Sequence, residues 1–293
     1  MGINNANSTG SSSRNSSSPR DLGLTSDSFV AATSTSPVSR VIACVQGDPK
    51  TGKDHFCMTA PGPITIFNFD CGLEGVIEKF VAKGKRVIVA GDPKLKSGGK
   101  YPSYHFARPV PRSGEGRKSE AYLDRVKKTA YPVWERFISD LNEFYESDAR
   151  TGIVDTGGAA FALARFAFHG MDKGKPDAKA DPYGQRSGDM KAIFQGLITD
   201  GYNYDKNMLW IHRQKEEWRG NSPTGRMISD GYNQAPYETQ VVLRTKKVKG
   251  EFSVEVVMSR LDTEMEGEVF VGKQCRFPVV MAMMTGTEVG DWE

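Results

Sequence analysis

Long apolar runs are missing from this sequence of 293 residues. A membrane-spanning helix needs about 18 or more consecutive apolar residues, and no such segment occurs. The N-terminus also lacks the basic stretch followed by an apolar stretch that is typical of a secretory signal. We therefore expect a soluble protein that remains in the cytoplasm.

Cysteine is scarce, and the excess of positive charge is small. The four cysteines, Cys44, Cys57, Cys71 and Cys275, form no C-x-x-C pair, so the sequence indicates neither a zinc site nor a disulfide framework. We expect reduced thiols. The formal net charge of +3 is too small to establish nucleic-acid binding, because dedicated binders carry a larger or more clustered excess.

Apolar residues are sparse at the N-terminus. Residues 1–38 are dominated by Ser, Asn, Thr and Gly, and such a segment cannot bury enough surface to offset the entropy lost on ordering. We predict a disordered tail there. Residues 39–265 are predicted to form one domain, and residues 266–293 a C-terminal extension with an acidic tip formed by Glu288, Asp291 and Glu293.

Short apolar runs alternate with amphipathic segments from Val41 onward. This alternation predicts an α/β fold, a mainly parallel sheet flanked by helices, followed by a C-terminal β-hairpin. The predicted parallel strands are residues 41–46, 64–70, 86–91, 152–155 and 208–212, the predicted helices are 73–82, 119–146, 159–169 and 189–199, and the hairpin strands are 240–247 and 252–261.

A glycine-rich segment, GDPKTGKD, follows the first predicted strand. It matches the phosphate-binding motif G-x-x-x-x-G-K-[ST] as far as the lysine. In that motif, backbone N–H groups cradle phosphates and the lysine reaches the β- and γ-phosphates. A glycine-rich turn without a ligand is the alternative interpretation. The residues predicted to bind ATP are Gly47, Asp48, Pro49, Lys50, Thr51, Gly52, Lys53 and Asp54.

Asp54 stands where the motif has a Ser or Thr hydroxyl that holds Mg²⁺. A carboxylate at this position could coordinate Mg²⁺ directly, since Mg²⁺ prefers oxygen ligands. It could instead repel phosphate and leave a weak or inactive site. Thr51 is the nearest hydroxyl, but it precedes Lys53 and does not simply replace the missing one.

Polar side chains end or follow three other predicted strands. Asp70 ends ITIFNFD, Asp155 ends GIVD, and His212 and Arg213 follow MLWI. Ligands bind at the carboxyl ends of parallel strands, where all of these residues fall. An ATPase needs an acid that orients water, an acid that holds Mg²⁺ and a group that senses the γ-phosphate. Asp70, Asp155, and His212 or Arg213 are our candidates, and Asp54 with Asp155 are the candidate metal ligands.

Each of these residues also has a structural interpretation. Asp70 and Asp155 could cap the helices that follow them. His212 could be a buried core histidine, and Arg213 could pair with a neighbouring acid such as Glu216.

Taken together, five blocks resemble bacteriophage-encoded RecA-like P-loop ATPases that are linked to single-strand annealing and recombination. The blocks span about residues 41–220 and read GDPKTGKD, FNFDCGLEGVIEKF, GIVDTGGAAFALAR, DPYGQRSGDMKAIFQGLI and LWIHRQKEEW. The resemblance implies a RecA-like core that binds ATP and Mg²⁺, self-association as an oligomer, and action on DNA in recombination, repair or replication in a host cytoplasm.

By position, the resemblance makes Lys53 the phosphate lysine, Asp70 the acid that orients water, Asp155 the Walker B acid, and His212 or Arg213 the sensor. Asp54 departs from the family's usual Ser or Thr, which bears on hydrolysis more than on fold.

Two polar segments carry the charge expected of a single-stranded DNA site. Residues 93–128 contain ten Lys and Arg against three acids, and residues 170–188 are also basic. Single-strand binding needs cations for phosphates and aromatic rings on which bases stack. A solvated basic loop is the alternative. The aromatic and basic candidates are Tyr101, Tyr104, His105 and Phe106 in the first segment and Lys173, Lys175, Lys179, Tyr183 and Arg186 in the second.

Two other functions fit the phosphate-loop sequence. Asp54 is compatible with a nucleotide-binding module that contacts DNA but does not hydrolyse ATP. A P-loop kinase of a small substrate also begins with a strand, a phosphate loop and a helix, and the basic residues 93–128 would supply its lid.

Overall fold

The computed structural model describes residues 40–70, 72–95, 100–117, 119–170 and 185–293. They belong to one compact unit, Ser39–Glu293. The predicted N-terminal tail and most of the predicted basic loop 170–188 lie outside the described residues. Within the described ranges, no helix is both long enough and apolar enough to cross a membrane.

Nine strands form one sheet in the order β3-β2-β4-β5-β1-β7-β8-β9, with β6 paired to β5 alone. The first five neighbours pair in parallel, as do β1 and β7, whereas β7, β8 and β9 pair antiparallel. The strands are β1 (Ile42–Gly47), β2 (Ile64–Asn68), β3 (Val87–Ala90), β4 (Thr151–Asp155), β5 (Asn207–Arg219), β6 (Ser222–Ser229), β7 (Val241–Val248), β8 (Glu251–Ser259) and β9 (Val269–Val271).

The longest helices cover one face of the sheet. Alternate sheet residues, such as Cys44 and Trp210, join an apolar core with side chains of these helices, among them Phe137 and Phe194. Because strand side chains alternate between faces, the buried Val45 of β1 faces the opposite side. The helices are α1 (Lys53–Cys57), α2 (Ile77–Val81), α3 (Glu120–Glu146), α4 (Gly157–His169), α5 (Gln185–Asp200), α6 (Ala235–Glu238) and α7 (Phe277–Thr285).

This architecture confirms the predicted fold class: a mainly parallel sheet, flanking helices and a C-terminal β7–β8 hairpin. The strand order has a direct consequence for the site. Strand β5 lies between β1, which precedes the glycine-rich loop, and β4, which ends at Asp155. The carboxyl ends of β2, β4, β5 and β1 therefore follow one another along a single edge of the sheet.

The region after β5 differs from the sequence prediction. A strand over residues 208–212 was expected, but β5 continues to Arg219 and β6 returns antiparallel to it. The turn passes through Gly220, whose φ is 62°. Most side chains of this hairpin are exposed beyond Arg213, so the sequence carries no apolar alternation that would reveal it.

Two predicted helices also have different bounds. A helix over residues 73–82 was expected, but α2 covers only Ile77–Val81. Gly75 has a φ of 79°, which α-helical backbone does not adopt, and its N–H donates to the Glu78 carboxylate. Helix α5 begins at Gln185, four residues before the predicted start.

The C-terminal stretch packs onto the domain. Phe277 at the start of α7 is fully buried and its ring lies 6.1 Å from the ring of Phe56 in α1. Trp292 is also buried, and its indole N–H donates to Thr287 Oγ1 at 2.9 Å. The acidic residue Glu293 pairs with Arg276. The predicted acidic tip is thus tied to the fold at both Trp292 and Glu293.

Candidate functional site

The glycine-rich loop joins β1 to α1 through a tight turn. A Cβ atom on Gly47 would lie 2.6 Å from the Thr245 carbonyl oxygen and 2.8 Å from Thr51 Oγ1, so only glycine fits there. Gly52 precedes α1 with a φ of 90°, in the left-handed region that glycine favours. Two glycines of the motif are therefore required by the geometry of the turn itself.

Lys53 is buried, and its ammonium group lies inside the loop. Its Nζ donates to the carbonyl oxygens of Gly47 at 3.0 Å and Asp48 at 2.7 Å. Thr51 turns the other way: its hydroxyl contacts the Asp48 carbonyl at 2.8 Å and Thr245 Oγ1 of β7 at 2.7 Å. Thr51 thus braces the loop against β7, and Asp54 is the carboxylate of the loop that acts electrostatically on Lys53.

The ionisation of Asp155 depends on Asp54, and that of Asp54 depends on Lys53. Burial, followed by repulsion from Asp54 and Asp70, raises the pKa of Asp155 well above its ordinary value. Burial also raises the pKa of Asp54, while Lys53 opposes that change. Burial lowers the pKa of Lys53, and the two carboxylates act in the opposite direction. The three side chains therefore form one electrostatic unit.

Asp54 and Asp155 fit a magnesium site that is completed by phosphates and water. They do not fit a metal site made entirely of protein side chains. Among the described residues, no group of three or more His, Cys, Asp or Glu side chains is arranged to hold a metal. Mg²⁺ commonly binds through one or two carboxylates, substrate phosphates and water. Asp54 and Asp155, beside the ammonium of Lys53, match that donor set, and a divalent cation would relieve their repulsion.

Asp70 and Arg213 meet at the same edge of the sheet. The Arg213 guanidinium donates to Asp70 Oδ2, and the two side chains are 56% and 34% exposed. Arg213 also acts electrostatically on Lys53, Asp54 and Asp155. The structure therefore brings Arg213 close to Lys53, Asp54 and Asp155, with Asp70 beside it.

His212 points away from this group. It is fully buried, and burial lowers its pKa to about 4. Its Nδ1 lies 3.2 Å from the carbonyl oxygen of Asp230, so Nδ1 carries the proton and donates. A Cβ atom on Gly157 would lie 2.6 Å from His212 Nε2, which places the ring beneath the start of α4. Of the two sensor candidates, only Arg213 reaches the acids.

Comparisons with known proteins add little to this geometry. No protein-family profile matches the sequence, and no curated protein matches it. A crystal structure of the RadB recombinase is similar in fold, with a TM-score of 0.43 and 11% sequence identity over 80% of this chain and 87% of that chain. At that distance the likeness carries no conclusion about activity.

A groove of about 880 Å³ is bordered by the Asp70–Arg213 pair. It continues from these residues past the start of α4 to the root of the β5–β6 hairpin. The root packs closely on α4, since a Cβ atom on Gly158 would lie 2.8 Å from the Asp230 carbonyl oxygen. The basic side chains that line the groove are His105, Arg165, Arg213 and Lys215. Two acids also line it: Asp70 pairs with Arg213, and Asp230 pairs with Lys215.

The β5–β6 hairpin extends from the groove and exposes residues that the sequence analysis missed. Trp218 is 60% exposed and Met227 is 41% exposed, while the Arg219 side chain is 77% exposed. A tryptophan within a charged, polar run was the available signal, because such a residue has no apolar face to join. The hairpin thus presents a ring and a cation farther along β5 than Lys215, which lines the groove.

The aromatic DNA candidates of residues 93–128 have mostly structural contacts. Tyr104 is buried and donates to Asp140 at 2.6 Å, which corrects its prediction as a stacking residue. Tyr101 donates to Glu78 at 2.8 Å, and Phe106 packs on the ring of Phe166 at 5.3 Å. His105 is exposed and lines the groove.

The second basic segment contributes no described DNA candidate. Lys173, Lys175, Lys179 and Tyr183 lie outside the described residues, and so does the side chain of Arg186.

Proposed function

We propose that this protein binds ATP with Mg²⁺ on the loop of residues 47–54 and hydrolyses it in a manner that depends on single-stranded DNA. The observation that carries the proposal is the meeting of Lys53, Asp54, Asp155 and Arg213, with Asp70 beside Arg213, at the carboxyl ends of four neighbouring strands. Parallel α/β sheets bind ligands at this edge.

Lys53 is the group that contacts the phosphates in this proposal. Its Nζ exchanges the two carbonyl contacts inside the loop for β- and γ-phosphate oxygens. Gly47 and Gly52 let the backbone approach the phosphates closely because neither carries a Cβ atom.

Asp54 and Asp155 hold the metal in this proposal. Mg²⁺ supplies positive charge that neutralises the phosphates during the reaction. The two aspartates must release their protons to ligate it, so their raised pKa values make metal affinity dependent on pH.

Asp70 and Arg213 supply the remaining roles. Arg213 is the cation of β5 that acts on Asp54 and Asp155. In this proposal it senses and stabilises charge on the γ-phosphate. Asp70 orients the attacking water, and its hydrogen bond from Arg213 fixes the direction of the carboxylate. Nucleotide binding that moves Arg213 therefore also changes the environment of Asp70.

Single-stranded DNA is the proposed partner of the groove and the β5–β6 hairpin. The groove carries basic side chains, and the hairpin adds an exposed Trp218 and Arg219. Cations that neutralise phosphates and rings on which bases stack are the two requirements of such a site. Self-association and a role in phage recombination, repair or replication belong to the same proposal and rest on the sequence resemblance alone.

The test is phosphate release from ATP and Mg²⁺, with and without single-stranded DNA. The wild type is compared with Lys53→Ala and with Lys191→Ala, which removes an exposed lysine on α5 and serves as the matched control. We expect DNA-stimulated release that Lys53→Ala abolishes and Lys191→Ala leaves unchanged. Release that survives Lys53→Ala would overturn the proposal.

A nucleotide-binding protein without turnover is the second candidate, favoured by the carboxylate at Asp54. Two half-buried or buried carboxylates beside the phosphates weaken the site if the metal does not neutralise them. In that case the wild type binds ATP without releasing phosphate, and Asp54→Thr restores release. Transfer of phosphate to a small nucleotide, unaffected by DNA, would instead identify a kinase.

A further inference from the structure

A second cavity of about 800 Å³ lies on the other side of the glycine-rich loop. It is bounded by α1, α2, the β7–β8 hairpin and residues 272–276. Thr51 and Gly52 form its border with the loop, while Phe56, Met58 and Val254 are buried side chains of its floor. Its volume is in the range of small-molecule sites, which is roughly 300–1,000 Å³.

The rim of this basic cavity carries five positive side chains. Among the described residues that line it, none is acidic. Glu293, from outside the lining, pairs with Arg276 at 2.9 Å and also acts electrostatically on Lys85. The five cations are Lys79, Lys83, Lys85, Lys273 and Arg276.

The positive groups of the cavity repel one another. Burial and then Arg276 lower the pKa of Lys85. Burial, followed by Lys79 and Lys83, likewise lowers the pKa of His55 on α1. Such mutual repulsion is relieved when an anion binds between the cations. The charge distribution therefore favours an anionic ligand.

An aromatic wall stands beside the cations. Phe252 of β8 is 42% exposed, and a Cβ atom on Gly52 would lie 3.0 Å from its ring. Lys247 Nζ lies 4.7 Å from the centre of the same ring. Phe80 of α2 contacts His55 edge to face, with ring centres 4.8 Å apart. An exposed ring with cations around it suits a stacked base next to a phosphate.

The nucleoside end of an ATP molecule on the loop does not account for this charge. The triphosphate is served by Lys53, the metal and Arg213, and a base with its ribose is neutral. Lys79, Lys83 and Lys273 on the rim would remain beside a neutral base and ribose, and they favour a phosphate inside the cavity.

We propose that the basic cavity binds a second nucleotide, distinct from the one on the loop, with its base on Phe252 and its phosphate on Lys79, Lys83 and Lys273. A free mononucleotide and a nucleotide within a single strand share this chemistry. Apart from Thr51 and Gly52 at its border, the site is built from residues that the proposed ATPase function does not use. The charge and stacking residues can therefore be changed without changing the loop, and each proposal can fail without the other.

The test is made in the Lys53→Ala background, which weakens phosphate binding at the loop. AMP binding is measured by calorimetry, and binding of a five-nucleotide oligothymidylate is measured by fluorescence anisotropy. The variants are Phe252→Ala and the double variant Lys83→Glu with Lys273→Glu. Lys191→Glu is the matched control, because it reverses one exposed charge on α5. Thermal unfolding establishes that each variant remains folded.

We expect Phe252→Ala to weaken binding roughly fivefold or more, the effect of losing one stacked base. The double charge reversal is expected to weaken it roughly tenfold or more, and the control should leave it unchanged. If the variants weaken the binding of both AMP and the oligonucleotide, the cavity binds a free nucleotide. If they weaken the binding of the oligonucleotide alone, it binds a nucleotide within a single strand.

Two results would overturn the proposal. One is binding of both probes that neither substitution changes. The other is seen in the protein that keeps Lys53: Phe252→Ala weakens the binding of ATP but not the binding of AMP or of the oligonucleotide. In that case the cavity would be the pocket for the base of the nucleotide on the loop. Failure of Lys53→Ala to affect ATPase activity would overturn the proposed function and leave this one standing.

Discussion

Arg213, at the carboxyl side of the sheet on β5, donates a hydrogen bond to Asp70 across the end of β4. The strand between them ends at the buried Asp155. One ion pair thus spans the strand that carries the proposed metal ligand.

Replacement of Arg213 by alanine should lower the rate of hydrolysis with little effect on ATP affinity. Loss of a donor that stabilises charge in the transition state costs roughly 10²-fold or more in kcat. Lys191→Ala is the control, because it removes one exposed cation on α5 that neither proposed site uses. Steady-state kinetics over a range of ATP concentrations checks this, and an unchanged kcat in Arg213→Ala would remove the sensor assignment.

Stability without metal should depend on pH through Asp155. Because its pKa is raised in the folded protein, the native state holds a proton that the unfolded chain releases. The contribution is most favourable below the ordinary carboxyl pKa and is lost as pH rises toward the raised value. The free energy of unfolding of the wild type should therefore fall, relative to that of Asp155→Asn, as pH rises from about 4.

Urea unfolding in EDTA at successive pH values measures this difference. Addition of Mg²⁺ should restore stability to the wild type more than to Asp155→Asn. Parallel pH profiles for the two proteins would show that Asp155 is not perturbed.

His212 should give the opposite pH dependence. Its pKa is lowered to about 4 in the folded protein. Between that value and the ordinary pKa, the unfolded chain binds a proton at His212 and the native state does not. Stability from the neutral ring is complete above the ordinary pKa of about 6.5 and is lost as pH falls toward 4. The wild type should lose about 3 kcal/mol relative to His212→Asn over that window. A difference in unfolding free energy that stays constant with pH would contradict the buried, neutral assignment.

Gly47→Ala should destabilise the protein and weaken nucleotide binding together. The new methyl group would meet the backbone of β7 at 2.6 Å, so the loop must shift at a cost of about 1–3 kcal/mol. Gly196→Ala on α5 is the control, since nothing lies within 4 Å of its added Cβ atom and alanine favours helix. Urea unfolding and ATP titration measure both effects, and tolerance of Gly47→Ala would exclude the tight turn.

Trp218→Ala should weaken binding of single-stranded DNA by about 1–3 kcal/mol, the contribution of one stacked base. The salt dependence should stay the same, because no phosphate contact is lost. Arg219→Ala should instead lower the slope of log affinity against log salt by about 0.7. Fluorescence anisotropy at several salt concentrations separates the two effects. Met227→Ala, on the paired strand, provides a control for hairpin stability.

The parallel strands were predictable because their apolar runs are short and bounded by glycine or polar residues. Runs such as residues 41–46 and 64–70 differ from the observed β1 and β2 by one or two residues. Position at strand ends then predicted which polar residues would gather, because parallel strands bring their carboxyl ends to one edge.

Other features depend on contacts that local sequence does not encode. The β5–β6 hairpin is exposed, so no apolar alternation marks its strands. Tyr104 was predicted to be a loop residue on which a DNA base stacks. It is buried and donates a hydrogen bond to Asp140, and both features follow from the packing of α3. The sequence also left His212 and Arg213 open, since adjacent residues face opposite sides and only the packed sheet shows which side holds the acids.

Because of that alternation, the position of a residue along β5 decides which face of the sheet its side chain occupies. An insertion or deletion of a single residue between Ile211 and Arg213 would exchange the two faces of the strand. The guanidinium would then point beneath α4, where burial of an unpaired cation is costly, and the acids would face an imidazole or a neutral neighbour. A change of one residue in this stretch therefore alters the site even when Arg213 itself is kept.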